Sequence, residues 1–222
     1  MIKKWYATAK ECTSLRKNTL RADLCLWIDD IENFTNKNTM ESTVKSILTS
    51  AVIKGLDIIG IVNTAGPHIG LVAKEMARVQ QMDITVVAGQ SYTTSDKQEL
   101  FIYNLNKPIQ QGLTTADACN LVHKSRGFVM ARNVGKRKAQ VLNKLVGSPS
   151  APDAIEIFNA KAGSYQDVDI DFPRFVSSGA LSANDLEQMN IFTLLDRKDA
   201  VEMGFLAEEE GVDYTPKYLK GV

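Results

Sequence analysis

Two continuous apolar runs with an amphipathic segment between them are the feature that most restricts how this chain can fold. The run LDIIGIVN (56–63) is too uniformly apolar for a strand with one face in water, and DITVVAG (83–89) repeats the pattern. Residues 67–81, between the two runs, have the period of a helix, with apolar positions at Ile69, Val72, Ala73 and Met76. A buried strand, a helix and a second buried strand predict a parallel pair joined by a crossover helix.

The rest of the chain continues this alternation. Further strands are predicted at 23–28, 99–105, 127–133, 153–160 and 191–196, and further helices at 39–54, 114–125, 136–146 and from Ser182 onward. About seven strands in one series predict an α/β fold, a distorted seven-stranded (β/α) barrel with its helices outside. We expect one domain over residues 1–206, a long loop at 161–181 and a polar C-terminal tail at 207–222.

Composition argues against several classes of protein. Lys+Arg and Asp+Glu are equal at 26 each, so bulk charge favours neither nucleic acid nor an anionic membrane as partner. The three cysteines are widely spaced and form no CxxC, which predicts a reducing compartment rather than a disulfide framework. The first residues are polar and no apolar run is long enough to cross a bilayer, so we expect a cytoplasmic protein with no membrane contact.

Candidate functional residues are expected where the predicted strands end, because parallel α/β barrels carry their active sites at the C-terminal ends of their strands. Those ends hold Cys25 and Trp27, Asn63 and Thr64, Gly89 to Ser91, Arg132 and Asn133, Glu156 to Asn159, and Asp196 to Lys198. The chain has only two histidines, His68 and His123, and neither lies in this set. His68 is expected in the first turn of a helix and His123 on a helix surface.

Six segments, in order, resemble one known family. ADLCLW (22–27) is similar to an Asp-Leu-His-x-His strand, KGLDIIGIVNTAG (54–66) to a strand ending in Thr-Asp-His, and ITVVAGQSYTT (84–94) to one ending in Gly-x-Glu. VHKSRGFVMARN (122–133) is similar to a strand ending in His-Pro, DAIEIFNA (153–160) to an Ile-Glu-Val-Tyr-Asn strand, and TLLDRKDAVEMG (193–204) to a strand ending in Ser-Asp-x-His. Together they resemble the polymerase and histidinol phosphatase (PHP) domain over residues 20–206. The resemblance implies a metal-dependent phosphoesterase barrel.

The metal-ligand positions that the resemblance implies have been replaced almost throughout. They fall on Cys25, Trp27, Asn63, Thr64, Ser91, Arg132, Asp196 and Lys198. Of these positions only Asp196 holds a residue type common among metal ligands, and Asp23 is retained beside Cys25 and Trp27. Cys25 is a soft ligand in a place for harder metals, and Trp27 cannot bind a metal. Trp27 is therefore interpreted as a core plug or as a ring for stacking. Arg132 and Lys198 would put positive charge where cations should bind. These positions therefore predict a relict site with no metal and no cofactor.

Arg132 supports two hypotheses for what replaced the metal. Its guanidinium could neutralise the retained carboxylates Asp23 and Asp196, or those of the Asp29–Asp30 pair, as a structural ion pair. Alternatively, Arg132, Lys198 and His68 could form an anion pocket that binds phosphate without cleaving it.

The functional prediction is a catalytically inactive PHP-like protein that binds a partner, or serves as a scaffold or structural part of an assembly, such as a phage or other viral accessory or virion protein. One alternative is a divergent phosphoesterase with a single divalent metal near Asp23 and Asp196. The other is a nucleic-acid-associated module that uses the basic region 124–144. Its candidate contacts are Lys124, Arg126, Lys136, Arg137, Lys138 and Lys144.

Overall fold

A computed structural model describes residues 19–28, 37–134, 136–159, 164–165, 175–178 and 193–207. The strands are β1 (Thr19–Trp27), β2 (Ile58–Asn63), β3 (Thr85–Thr93), β4 (Glu99–Tyr103), β5 (Phe128–Arg132), β6 (Ala154–Asn159), β7 (Ser164–Tyr165), β8 (Phe175–Ser178) and β9 (Thr193–Asp196). The helices are α1 (Lys37–Ile53), α2 (His68–Val79), α3 (Thr115–Lys124), α4 (Lys136–Asn143) and α5 (Arg197–Glu202). All nine strands belong to one sheet, in the order β7-β6-β5-β4-β3-β2-β1-β9, with β8 paired to β6.

The prediction of a seven-stranded (β/α) barrel is wrong, because the sheet is mixed. Pairs β1–β2, β2–β3, β5–β6 and β6–β8 are parallel, whereas β3–β4, β4–β5, β1–β9 and β6–β7 are antiparallel. Only residues 94–98 join β3 to β4. A link this short makes a hairpin, since a parallel crossover needs a dozen residues or more. The fold is therefore a mixed α/β sheet in which only some strands are joined by helices.

The sheet curls so that its inner face becomes a core. In the sheet order β2 and β3 lie between β1 and β4, a separation of about 14 Å in a flat sheet. The rings of Trp27 on β1 and Phe101 on β4 nevertheless lie 5.6 Å apart, centroid to centroid. The inner face is lined by Ala22, Leu24, Val62, Phe101, Tyr103, Phe128 and Met130. The curvature brings side chains from distant strands together.

The outer face is covered by helices in two places. Leu26, Ile59 and Ile61 pack with apolar residues of α1 and α2, and Leu100, Ile102 and Val129 pack with those of α3 and α4. β2 is therefore buried on both faces along its whole length, which confirms its prediction as a buried strand.

The last described segment closes the inner face at one end. Phe205, just after α5, lies 6.0 Å from Tyr103 and 5.2 Å from Phe128, measured between ring centroids. Tyr103 ends β4 and Phe128 begins the antiparallel β5, so all three rings lie at the rim where β5 begins. We call this end the closed rim; the opposite end, where β1, β5 and β6 finish, is the open rim.

An ion pair fastens α3 to the sheet and gives a prediction for pH. His123 Nε2 lies 3.0 Å from Asp153 Oδ2, and His123 Nδ1 lies 2.9 Å from the Pro149 carbonyl oxygen. Both neighbours accept hydrogen bonds, so only the imidazolium can donate to both. The hydrogen bond with Asp153 raises the pKa of His123 above its usual value. The histidine expected on a helix surface is thus half-buried and paired.

We expect the stabilisation by His123 to disappear as pH rises. A raised pKa in the folded state means that the contribution is complete below the unfolded pKa of about 6.5 and is lost as pH rises through the folded value. The difference in free energy of unfolding between the protein and His123→Gln should therefore be larger at about pH 5.5 than at about pH 8.5. Urea denaturation across this range measures it, and Asp153→Asn should flatten the pH dependence. A difference that does not change with pH would contradict the imidazolium geometry.

Candidate functional site

Four side chains from four strands meet on the inner face at the open rim. Trp27 ends β1, Phe101 lies on β4, Arg132 ends β5, and Glu156 lies on β6. Phe101 pairs with Met130 on β5, and Met130 pairs with Ala154 on β6, so these three side chains share the inner face. Arg132 and Glu156 each lie two residues further along their parallel strands and therefore point to the same face. We call these four residues the rim cluster.

Arg132 and Glu156 form a buried ion pair at the centre of the rim cluster. Arg132 Nε lies 3.5 Å from Glu156 Oε2, and the two residues are 7% and 0% exposed. Charges this deeply buried are costly unless they are paired, because each has lost its hydration. The pairing therefore offsets part of the cost of burying each charge.

Two aromatic rings contact the guanidinium. Arg132 Cζ lies 4.2 Å from the centroid of the Phe101 ring and 4.9 Å from that of the Trp27 ring. Both distances fall within the range of cation–π attraction, which strengthens where water is excluded. The two ring centroids lie 5.6 Å apart in an edge-to-face arrangement, so both rings approach the guanidinium from neighbouring directions.

The backbone and neighbours of Arg132 are also held in place. Gln98 Nε2 donates to the Arg132 carbonyl oxygen at 3.1 Å, which anchors the end of β5. Glu99, paired with Arg132 in the ladder, accepts from Lys138 at 2.7 Å and from Asn133. Burial alone would raise the pKa of Glu99, but the hydrogen bonds from Lys138 and Asn133 bring that pKa below its usual value. Glu99 is therefore a charged partner of α4.

The carboxylate of Asp23 takes part in an irregularity of β1. The register shifts between Asp23 and Leu26, so that Leu24 and Cys25 together face the single residue Gly60 of β2. Asp23 Oδ1 accepts from the Cys25 amide at 2.9 Å within this bulge, and the hydroxyl of Tyr103 donates to the Leu24 carbonyl oxygen. Burial raises the pKa of Tyr103 well above its usual value, so the phenol remains a neutral donor. Asp23 thus helps to hold the bulge.

Cys25 and Ser91 lie on or beside the inner face, whereas Asn63 and Thr64, at the end of β2, do not. Cys25 is buried among the inner-face residues, and Ser91 pairs with Phe101 in the ladder. Asn63 is buried; its side-chain amide donates to the Ile28 carbonyl oxygen and its Oδ1 accepts from the Ala65 amide at 2.7 Å. Thr64 is exposed in the turn that follows.

The last predicted strand end lies far from the rim cluster. β9 runs antiparallel to β1 and pairs Asp196 with Thr19, at the opposite end of β1 from Trp27. Nine residues of strand separate the two ends by roughly 25 Å. Lys198 is exposed on α5 and lies 3.8 Å from Glu202. The side chain of Asp196, and the pair Asp29–Asp30, lie outside what the structure describes. The described carboxylate partner of Arg132 is Glu156, which the sequence hypotheses did not name for that role.

The other predicted anion and nucleic-acid contacts are spread over the surface. His68 is exposed at the first position of α2. Lys124, Arg126 and Lys144 are exposed, while Lys138 is occupied by Glu99. The side chains of Lys136 and Arg137 lie outside the described residues. Nucleic-acid binding by this region stays a prediction.

Phe101 and Glu156 are the rim-cluster residues whose role the sequence did not reveal. Glu156 sits in a strand of apolar residues, AIEIFN, and a lone carboxylate inside a buried strand signals a buried counter-charge. In the sequence, Phe101 shows only the alternation typical of a strand, and nothing there indicates its contact with Arg132.

Within the described residues there is no group of three or more histidine, cysteine and acidic side chains arranged to hold a metal ion. None of the described helices is long and apolar enough to cross a membrane.

Comparisons with known proteins give little further guidance. No family model and no curated protein sequence matches this chain. Among solved structures, it is similar to the crystal structure of PsfC from Pseudomonas syringae PB-5123, with 13% sequence identity and a TM-score of 0.42. The match covers 85% of this chain and 95% of PsfC. A similarity this low supports no argument about fold or function.

Proposed function

We propose that this protein is a non-catalytic binding or scaffold module built around a buried ion pair on the inner face of its sheet. The observation that carries the proposal is the Arg132–Glu156 pair at the open rim, where Arg132 also contacts the rings of Trp27 and Phe101. A fixed guanidinium here opposes a divalent cation by charge, and the two rings offer no ligand atoms.

The arrangement also lacks the usual means of activating water among the described rim residues. The one carboxylate of the rim cluster, Glu156, is held by Arg132, and Glu99 is held by Lys138. A general base needs a carboxylate that can accept a proton near neutral pH, and partners such as these keep a carboxylate ionised. The geometry favours rigid recognition over hydrolysis.

Metal analysis combined with a phosphodiester assay tests the proposal. Purified protein should contain no stoichiometric Zn²⁺, Mn²⁺ or Fe, and should hydrolyse bis(p-nitrophenyl) phosphate no faster than Arg132→Lys does, with or without added Mn²⁺. Asp196→Ala serves as the informative control. A stoichiometric metal that is lost in Asp196→Ala, together with turnover, would establish the divergent phosphoesterase instead.

A further inference from the structure

A cavity of about 430 Å³ lies beside the closed rim, between the second half of α2, the start of β3 and the turn after α5. The turn is held in place by Asn104, whose Nδ2 donates to the carbonyl oxygens of Met203 at 3.1 Å and Gly204 at 3.3 Å. The volume falls within the range of about 300–1,000 Å³ that is typical of small-molecule sites. This cavity is at the opposite end of the sheet from the rim cluster.

The buried residues that line the cavity are all apolar within the described part of the chain. They are Ala77, Val86, Val87 and Phe205. Met82 lines the same cavity and is half-buried, and its flexible, unbranched side chain can adapt to the shape of a ligand. These walls suit the apolar body of a small molecule, since burying apolar surface is favourable in water.

The exposed part of the lining carries positive charge. Lys74 and Arg78 lie one turn apart on α2, and both are exposed. No aspartate or glutamate is among the described residues that line the cavity. A cleft lined by charges of one sign attracts a ligand of the opposite sign.

The partners of these two cations set the charge of the ligand. Arg78 Nη2 lies 2.6 Å from Glu75 Oε1, so its charge is already opposed. Lys74 makes no hydrogen bond or ion pair with any residue that the structure describes. One unopposed positive charge matches a ligand with a single negative charge.

The lining argues against nucleic acid as the occupant. Proteins that bind single strands stack bases on accessible aromatic rings. Among the described lining residues the one aromatic ring is that of Phe205, which is 6% exposed. Walls that combine buried aliphatic groups with one free lysine favour an amphipathic small molecule.

We infer that this cavity is a binding site for a small molecule with an apolar body and one anionic group. The anionic group pairs with Lys74, and the apolar body lies against Met82 and Phe205. The inference goes beyond the proposed function, because it assigns a ligand class to a second site that shares no residue with the rim cluster.

The methyl signal of Met82 provides a direct test. In full-length protein labelled with ¹³C at the methionine methyl groups, sodium octanoate at pH 7 and constant ionic strength should shift the Met82 resonance, with a dissociation constant on the order of 1 mM. The chain has seven methionines, so Met82→Leu assigns the signal. Acetate has the anionic group alone and octyltrimethylammonium has the opposite charge, so both should bind at least about tenfold more weakly.

Two series separate the charge from the apolar body. Lys74→Gln should weaken octanoate binding by about fivefold and leave the binding of 1-octanol unchanged, because only octanoate uses the charge. Hexanoate should bind about tenfold more weakly than octanoate, and decanoate about tenfold more tightly, since each step changes two buried methylenes. Lys107→Gln is the matched control. Lys107 is also exposed and lines a neighbouring cavity of about 340 Å³ that shares Asn104, so this variant should bind octanoate as the unaltered protein does.

Four outcomes would overturn the inference. The first two are an unmoved Met82 resonance and equal affinities for octanoate and octyltrimethylammonium. The third is an affinity that does not change with chain length, or a Met82 shift with inorganic phosphate as large as that with octanoate, because either would mean a site for simple anions. The fourth is a loss of octanoate binding in Lys107→Gln but not in Lys74→Gln, which would place the ligand elsewhere.

Discussion

Replacing Arg132 with leucine should lower the free energy of unfolding by about 3–5 kcal/mol, which is the usual cost of removing one partner from a buried ion pair. Glu156, with no exposed surface, would lose the guanidinium that lies 3.5 Å away. The leucine would also forfeit the cation–π contacts of Arg132 with Trp27 and Phe101. Urea denaturation at pH 7, with circular dichroism and tryptophan fluorescence followed together, gives the change.

A double replacement shows how much of the cost comes from breaking this ion pair. Arg132→Leu with Glu156→Leu should recover much of the loss, because two apolar groups replace a buried pair at little net cost. The exposed pair Arg78–Glu75, joined at 2.6 Å, is the matched control, and Arg78→Leu should change stability far less. Equal effects of Arg132→Leu and Arg78→Leu would contradict the burial of the rim cluster.

The secondary structure was largely predictable, but the way the strands are joined was not. The buried strands β2 and β3 and the helix α2 between them follow from apolar periodicity, which is a local property. Strand direction depends on the connections, and the five residues between β3 and β4 signal a hairpin that the expectation of a repeating barrel overlooked. β7, β8 and α5 were missed because short elements carry too few residues to show a period.

The rim cluster was half predictable for a similar reason. Arg132 was recognisable from the sequence because a cation at the end of a buried strand needs a partner. Identifying that partner as Glu156 and not Asp196 required the register of β5 against β6 and the direction of β9. Asp23 was interpreted as a relict ligand because a bulge cannot be recognised from one strand alone. Long-range pairing, rather than residue chemistry, was the missing information.

Phe205→Ala is the second large effect we expect, a loss of about 3–5 kcal/mol in the free energy of unfolding. Phe205 is 6% exposed and its ring contacts those of Tyr103 and Phe128, so alanine would leave a cavity at the closed rim. These neighbours belong to β4 and β5, about 100 and about 75 residues earlier in the chain, and cannot close over the gap without moving the sheet.

Val79→Ala is the matched control for this second replacement, because Val79 is an apolar residue at the end of α2 that is 62% exposed. It should change the free energy of unfolding by less than about 0.5 kcal/mol. If Phe205→Ala were as mild as this control, residues 203–206 would not be closing the inner face. If Phe205→Ala and Arg132→Leu are both severe while Val79→Ala is mild, packing at both ends of the inner face stabilises the curled sheet.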